Sequence, residues 1–211
     1  MCILVKMYID YLYQELGRDI ADEILSIAPG IRILRNGIEN LFNHPHVKLW
    51  HKFLLKYFNP EVCGKKYALI MPCSSVKPYR VSATHRIAEA VLHKNGVADD
   101  VQWYILSEPM VLVPRDLDIY YPFANYDYPT YELTSTYRRL FVELLSQVLP
   151  KLRYHRKIIA VLPKHHKSIL QESLSKSTVG LSIIFIDYSK KAFRSVKIAA
   201  EMVARYVLKE S

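Results

Sequence analysis

The chain has 211 residues, enough for one domain with an appendage or for two small domains, and at 51% apolar it can bury a packed core. Charged residues make up 23% and glycine is scarce, which excludes global disorder, and no apolar run approaches the roughly 18–20 residues needed to cross a bilayer. The net charge of +9, with 8 histidines besides, suits a polyanionic partner, RNA first among them; the plainer reading is a solvated basic surface.

The start, MCILVKMYIDYLYQEL, meets Asp10 and Glu15 soon after a short apolar patch and lacks a small-residue cleavage site, which argues against a signal peptide. Cys2, Cys63 and Cys73 are odd in number and form no CxxC pair. The expectation is therefore reduced thiols in a cytoplasmic protein, with no membrane association, no zinc or iron–sulfur site and no cofactor.

Residues 6–27 place Ile9, Leu12, Leu16, Ile20, Ile24 and Leu25 near helical spacing and predict an amphipathic helix, ended by Pro29-Gly30. Residues 32–42 read as a second helix. His44-Pro45 opens a third, HPHVKLWHKFLLKYF, with proline in the first turn and Val47, Trp50, Phe53, Leu54 and Tyr57 on one stripe. Residues 1–60 are thus expected to be an N-terminal helical segment and residues 61–211 an α/β domain. In the latter, apolar strands at 66–71, 101–106, 157–162 and 182–187 alternate with helices at 82–94, 134–149, 164–176 and 190–209. That pattern implies a mainly parallel sheet covered on both faces, with ligands bound beyond the carboxyl ends of its strands. Residues 107–133, rich in proline and tyrosine, read as one long loop, either a stacking platform for nucleobases or a lid over the sheet edge.

The segment most suited to chemistry is residues 72–85, PCSSVKPYRVSATH, directly behind the first strand. Cys73 is the candidate nucleophile, with Lys77, Arg80 and His85 near in sequence to lower its pKa and Ser82 placed to cap the following helix; the alternative is a buried structural cysteine. Pro78 holds Lys77 and Tyr79 in place. His85 is a candidate proton shuttle or a backbone-bonded helix histidine. Asp127, between Tyr126 and Tyr128, is a candidate proton donor if burial raises its pKa, or a turn-capping aspartate. Lys151, Arg153, Arg156, Lys157, Lys164 and Lys167 flank one strand and read as a phosphate-backbone track or a solvated basic edge. His165-His166 is too short a cluster to argue for a metal, since adjacent helix residues point apart.

The same segment resembles the signature PC-x3-KPY-x2-S-x2-H of the archaeosine synthases, archaeal tRNA-modifying relatives of tRNA-guanine transglycosylase. Pro72, Cys73, Lys77, Pro78, Tyr79, Ser82 and His85 occupy its fixed places. HPHVKLWHKF, VPRDL (113–117), YP (121–122) and YDYP (126–129) resemble flanking motifs in the same order, so the resemblance runs over residues 44–188. It implies a three-layer α/β/α sandwich similar to uracil-DNA glycosylases. It also implies action on tRNA that carries 7-cyano-7-deazaguanine, with an amine donor such as lysine adding to the nitrile and a radical-type lyase completing a two-enzyme route.

On this chemistry Cys73 adds to the nitrile to give a thioimidate, which an amine displaces. Asp127 or His85 protonates the nitrogen, and Lys77, Tyr79, Ser82 and Tyr126 position the base or the donor. Arg80, Arg153, Arg156, Lys157, Lys164 and Lys167 would meet the RNA. The chain departs from the family after YDYP, where V-x-G-x-W is usual and TYELTSTY stands here. It also shows neither the transglycosylase-like part nor the PUA-type RNA-binding domain of longer members. A stand-alone synthase or a subunit served by a separate tRNA-binding chain is the corresponding expectation. Two other readings stay open: a non-catalytic tRNA-binding or partner subunit, and a glycosylase-like enzyme that activates water on a flipped base.

Overall fold

In the computed structural model, residues 3–188 and 191–210 are described. Cys2 lies outside them, as does the first residue of the helix expected at 190–209. The elements in chain order are α1 (Ile3–Leu16), α2 (Arg18–Ser26), α3 (Pro45–Lys56), β1 (Tyr67–Pro72), α4 (Ala83–Lys94), β2 (Val101–Ser107), β3 (Val111–Pro114), α5 (Ser135–Val148), β4 (Lys157–Leu162), α6 (Lys164–Lys176), β5 (Ile183–Asp187) and α7 (Ala192–Glu210). Short 3-10 turns link several of them. No helix among the described residues is long and apolar enough to cross a membrane.

The strands form one five-stranded sheet in the order β3-β2-β1-β4-β5. β2, β1, β4 and β5 run parallel, and β3 pairs antiparallel on the edge of β2. Alternate residues of each strand serve opposite faces, as the two-residue period of a strand requires. Leu69, Met71, Trp103, Ile159 and Val161 pack with Leu92 of α4 and with Val196, Ala200 and Val203 of α7. On the other face Ala68, Ile70, Tyr104 and Ala160 share a core with α1, α3, α5 and α6 through Leu4, Tyr8, Trp50, Phe53, Phe141, Leu145 and Ile169. Helices therefore cover both faces of a mostly parallel sheet, and the N-terminal helices bury their apolar stripes in the same core as the strands.

Three local expectations need correction. The single helix over 6–27 is two helices, because Gly17 at φ 79° takes a backbone conformation that interrupts the ladder between α1 and α2. Residues 32–42 do not form a helix. Asn36 and Gly37 both sit at positive φ (47° and 81°) in a turn closed by the Ile38 amide on the Arg35 carbonyl at 2.8 Å, and only Leu41–Asn43 makes a 3-10 turn. Finally, 107–133 is not one loop. Val111–Pro114 forms the edge strand β3, with Tyr104 opposite Pro114 and Ser107 opposite Val111. An edge position tolerates the proline, which has no N–H to give to the ladder.

Candidate active site

Parallel strands β1, β2 and β4 end on the same edge of the sheet, and the residues that follow them meet there. Cys73 directly follows β1, and its amide still donates to the Leu106 carbonyl of β2 at 3.0 Å, so the thiol leaves the sheet from a fixed backbone. Glu108 follows β2. His165 and His166 lie in the first turn of α6, behind β4. The segment Tyr126, Asp127, Tyr128 and Pro129 closes over this edge. Together with Ser74, Ser75 and Lys77 they enclose a cavity of about 450 Å³ lined by Cys73 and Glu108, within the range of roughly 300–1,000 Å³ usual for small-molecule sites.

The turn that carries Glu108 is tied down from α3. Trp50 Nε1 donates to the Met110 carbonyl at 2.7 Å, and His51 Nε2 donates to the Pro109 carbonyl at 2.8 Å. The HPHVKLWHKF segment thus anchors the wall of the cavity. On the other side Asn40 bonds the Tyr128 hydroxyl at 3.0 Å and the Glu132 carbonyl at 2.9 Å, holding the 126–132 stretch in place.

Around the sulfur the electrostatics differ from the sequence expectation. Burial pushes the Cys73 thiol up to about 11, helped by the Glu108 charge, while a Ser107 hydrogen bond and Lys77 pull weakly the other way. The cysteine therefore rests as a thiol, and nearby cations do not make it a thiolate. The Sγ lies 4.0 Å from Glu108 Oε2. His166 Nε2 stands 2.9 Å from each Glu108 oxygen. Burial pushes the Glu108 carboxyl up, but the hydrogen bond and charge of His166 outweigh it, and the group stands below its usual pKa. Glu108 and His166 are almost completely buried, and His166 Nδ1 has no partner.

The expectation that His165 and His166 diverge is corrected as well: their ring centroids are 4.0 Å apart and His165 Nε2 comes within 3.9 Å of Glu108 Oε1. Side chains in a helix lean toward its N-terminus, so in the first turn both rings tip over the helix start toward the sheet edge. One oxygen, one nitrogen and one sulfur from Glu108, His166 and Cys73 lie within 4.8 Å of one another.

The remaining expected site residues separate into two groups. Lys77 lines the cavity; its Nζ donates to the Ser74 carbonyl at 3.2 Å and sits 4.3 Å from the Tyr126 ring centroid. Burial lowers its pKa, and Cys73 and Asp127 partly restore it. Tyr79 and Tyr126 are buried, and their hydroxyls bond each other and the Ser107 hydroxyl, a polar knot beneath the thiol. Burial raises both phenol pKa values. Asp127 is on the cavity wall but half exposed, and it pairs with Arg32 at 2.7 Å.

The others lie off the cavity. His85 is fully buried behind the loop, donates from Nε2 to the Pro72 carbonyl at 3.1 Å, and is held by burial down at about 4. Ser82 occupies the N-cap position of α4 without making the cap hydrogen bond. Arg80 grips the buried Asp118 through Nε at 2.6 Å and lines a different cavity with Trp103 and Arg115. The basic run does not form one track. Lys164 and Lys167 begin α6, on the edge that carries Cys73, and Lys167 pairs with Asp187 at 3.0 Å. Arg153, Arg156 and Lys157 stand at the far end of β4, about 20 Å away at a strand's rise per residue.

Glu108 and His166 are the residues that sequence pattern did not mark. The available signal was position: Glu108 directly follows β2 and His166 lies in the first turn of the helix after β4, on the edge where α/β sheets bind ligands.

The family described as a domain of unknown function, DUF5591, matches residues 47–200. The archaeosine synthase subunit alpha of Thermoplasma acidophilum is 30% identical over 133 residues, 63% of this chain and 25% of that protein. The archaeosine synthase of Methanocaldococcus jannaschii is 34% identical over 137 residues, 61% of this chain and 22% of that protein. This chain therefore spans about a quarter of these curated relatives. A crystal structure of AF0587, a protein of unknown function, superposes with a TM-score of 0.51 at 19% identity, over 73% of this chain and 49% of that one, a likeness of fold alone. With most of its length matched, from α3 through the Cys73 edge into α7, the chain belongs to the DUF5591 family, the domain it shares with the archaeosine synthases.

Proposed function

We propose that this chain is a tRNA-modifying enzyme of archaeosine biosynthesis, which adds an amine to the nitrile of 7-cyano-7-deazaguanine in tRNA. The observation that carries the reading is the cavity of about 450 Å³ with Cys73 and Lys77 on its wall, in a chain whose curated relatives are archaeosine synthases. The thiol adds to the nitrile carbon to give a thioimidate, and the amine, lysine in the simplest case, displaces the sulfur to leave an amidine. This divides one hard addition into two easier steps and needs no cofactor.

In this reading Tyr126, with Lys77 above its ring, supports the flat base, and Tyr79 fixes Tyr126 from below. Asp127 at the rim draws the ammonium of the incoming donor. His85 and Ser82 shape the signature loop from behind. Lys164 and Lys167, on the Cys73 edge, meet the phosphates next to the modified nucleotide, while Arg80, Arg153, Arg156 and Lys157 serve more distant stretches of RNA. The sheet with its ligand edge is used as in a uracil-DNA-glycosylase-like fold, and the helices of residues 1–60 act as a buttress for the domain of residues 61–211. The reaction runs in the cytoplasm, with a separate tRNA-binding chain and a radical-type lyase as partners.

The test is intact-mass analysis after incubation with 7-cyano-7-deazaguanine, free and in tRNA. A Cys73-dependent adduct that lysine discharges supports the reading; conversion that continues in Cys73→Ala ends it.

A further inference from the structure

Resting on that reading, we infer that Glu108 is the group that moves the proton between the Cys73 sulfur and the substrate nitrogen, and that His166 positions it. The inference stands on geometry. Among the described residues the Glu108 carboxylate is the acidic group in reach of the sulfur, at 4.0 Å, and it lines the cavity. His166 holds both of its oxygens from one side at 2.9 Å, which fixes the plane of the carboxylate without blocking its approach to the thiol. Of the two groups expected to supply the proton, His85 has committed its Nε2 proton to the Pro72 carbonyl and does not line the cavity, and Asp127 is engaged with Arg32. The other titratable groups that interact with the sulfur are Lys77 and Tyr79 from the signature loop, Tyr126 from the closing segment and Tyr188 after β5. Neither histidine of α6 reaches the sulfur in a hydrogen bond; His165 stands 3.9 Å from Glu108 instead.

The step balances without an added reactant. As the Cys73 sulfur bonds to the nitrile carbon, its proton passes to the Glu108 carboxylate. One π pair of the nitrile moves onto nitrogen, and that nitrogen takes the proton from Glu108, leaving a neutral thioimidate. The amine then adds to the same carbon and gives one proton to Glu108. The C–S bond breaks, and the sulfur leaves with that proton as a thiol. Nitrile plus amine becomes amidine, with Cys73 and Glu108 returned as they began. A resting thiol suits this order, because the proton that leaves sulfur is the one that nitrogen needs.

The experiment reads two rates at Cys73 by peptide mass mapping, with Cys73→Ala as background: alkylation by iodoacetamide, and adduct formation with free 7-cyano-7-deazaguanine and with tRNA that carries it. Glu108→Gln removes the negative neighbour, so alkylation at pH 8 should rise about tenfold, one pKa unit of relief. Adduct formation should fall by about a hundredfold or more, the usual loss for a general acid–base group. Unfolding would also expose the thiol and speed alkylation, so both rates are read on Glu108→Gln protein that keeps the wild-type thermal transition, and if that variant unfolds the His166 pair carries the test. His166→Leu should lower adduct formation toward the Glu108→Gln value. His166→Gln, which keeps an N–H near the Nε2 position, should restore about a tenth of the wild-type rate or more. Adduct formation at the wild-type rate in Glu108→Gln would overturn the assignment. If the wild type forms no nitrile adduct at all, the proposed function fails and the proton role with it; unchanged alkylation in Glu108→Gln would then also remove the Glu108–Cys73 coupling, whereas faster alkylation would keep that coupling for another electrophile.

Discussion

His166 Nε2 stands 2.9 Å from each carboxylate oxygen of Glu108, and one of those oxygens comes within 4.0 Å of the Cys73 sulfur. Three residues that follow three neighbouring parallel strands, far apart in the chain, thus form one polar cluster at the end of the sheet.

Replacement of Cys73 by alanine should abolish the nitrile adduct and all turnover while leaving the fold in place. The residue is only half-buried and its side chain is small, so the melting temperature should stay within about 3 °C of wild type. Thermal unfolding followed beside intact mass checks both halves.

The reactivity of Cys73 should report its raised pKa. With the thiol at about 11, the thiolate fraction grows with pH throughout the neutral and mildly alkaline range. Alkylation at Cys73 should therefore climb about tenfold per pH unit from pH 7 to 10 without reaching a plateau. A plateau near pH 8 or 9 would mean an ordinary, exposed thiol.

Acid should destabilise the protein early. Burial holds His51, His85 and His155 each at about 4, well below the usual histidine value of 6.5, so all three are neutral in the fold. In the unfolded chain they take up protons as pH falls through 6.5. Their contribution is complete above pH 6.5 and is lost as pH falls toward 4. If all three act, the stability slope in that window reaches about 4 kcal/mol per pH unit. Urea unfolding at half-unit pH steps measures it, and a flat profile between pH 6.5 and 5 would contradict the burial.

Trp50→Phe keeps the aromatic packing in the core but removes the hydrogen bond to the Met110 carbonyl. The carbonyl keeps its bond from the Leu112 amide at 2.9 Å, so the loss of one of two donors should cost about 0.5–1.5 kcal/mol. Since Met110 shares its turn with Glu108, nitrile adduct formation should slow as well. A stability loss with no effect on Cys73 chemistry would separate the anchor from the site.

Much of the fold was legible because its signals are local. β4 and α6 lie where the apolar run KIIAVL and the helical spacing after Pro163 put them. The edge strand β3 was hidden: its short VLV run lies between Pro109 and Pro114, and only its pairing with β2 gives it strand geometry. The helix expected at 32–42 failed for a local reason, the positive φ at Asn36 and Gly37, which outweighs the spacing of its apolar residues.

For the site, sequence alone marked Cys73 as the candidate nucleophile and outlined its neighbourhood. Cys73 behind a buried strand, Lys77 and Tyr79 held by Pro78, and a basic, apolar-cored chain are properties of composition and of residues close in sequence. Only the tertiary structure decided what surrounds the sulfur. Glu108 and His166 meet Cys73 because β1, β2 and β4 run parallel and end together, and burial at that edge turns an expected thiolate into a thiol beside a carboxylate. Residues distant in the chain gain a shared low-dielectric surrounding only when the sheet assembles, and that surrounding sets their protonation.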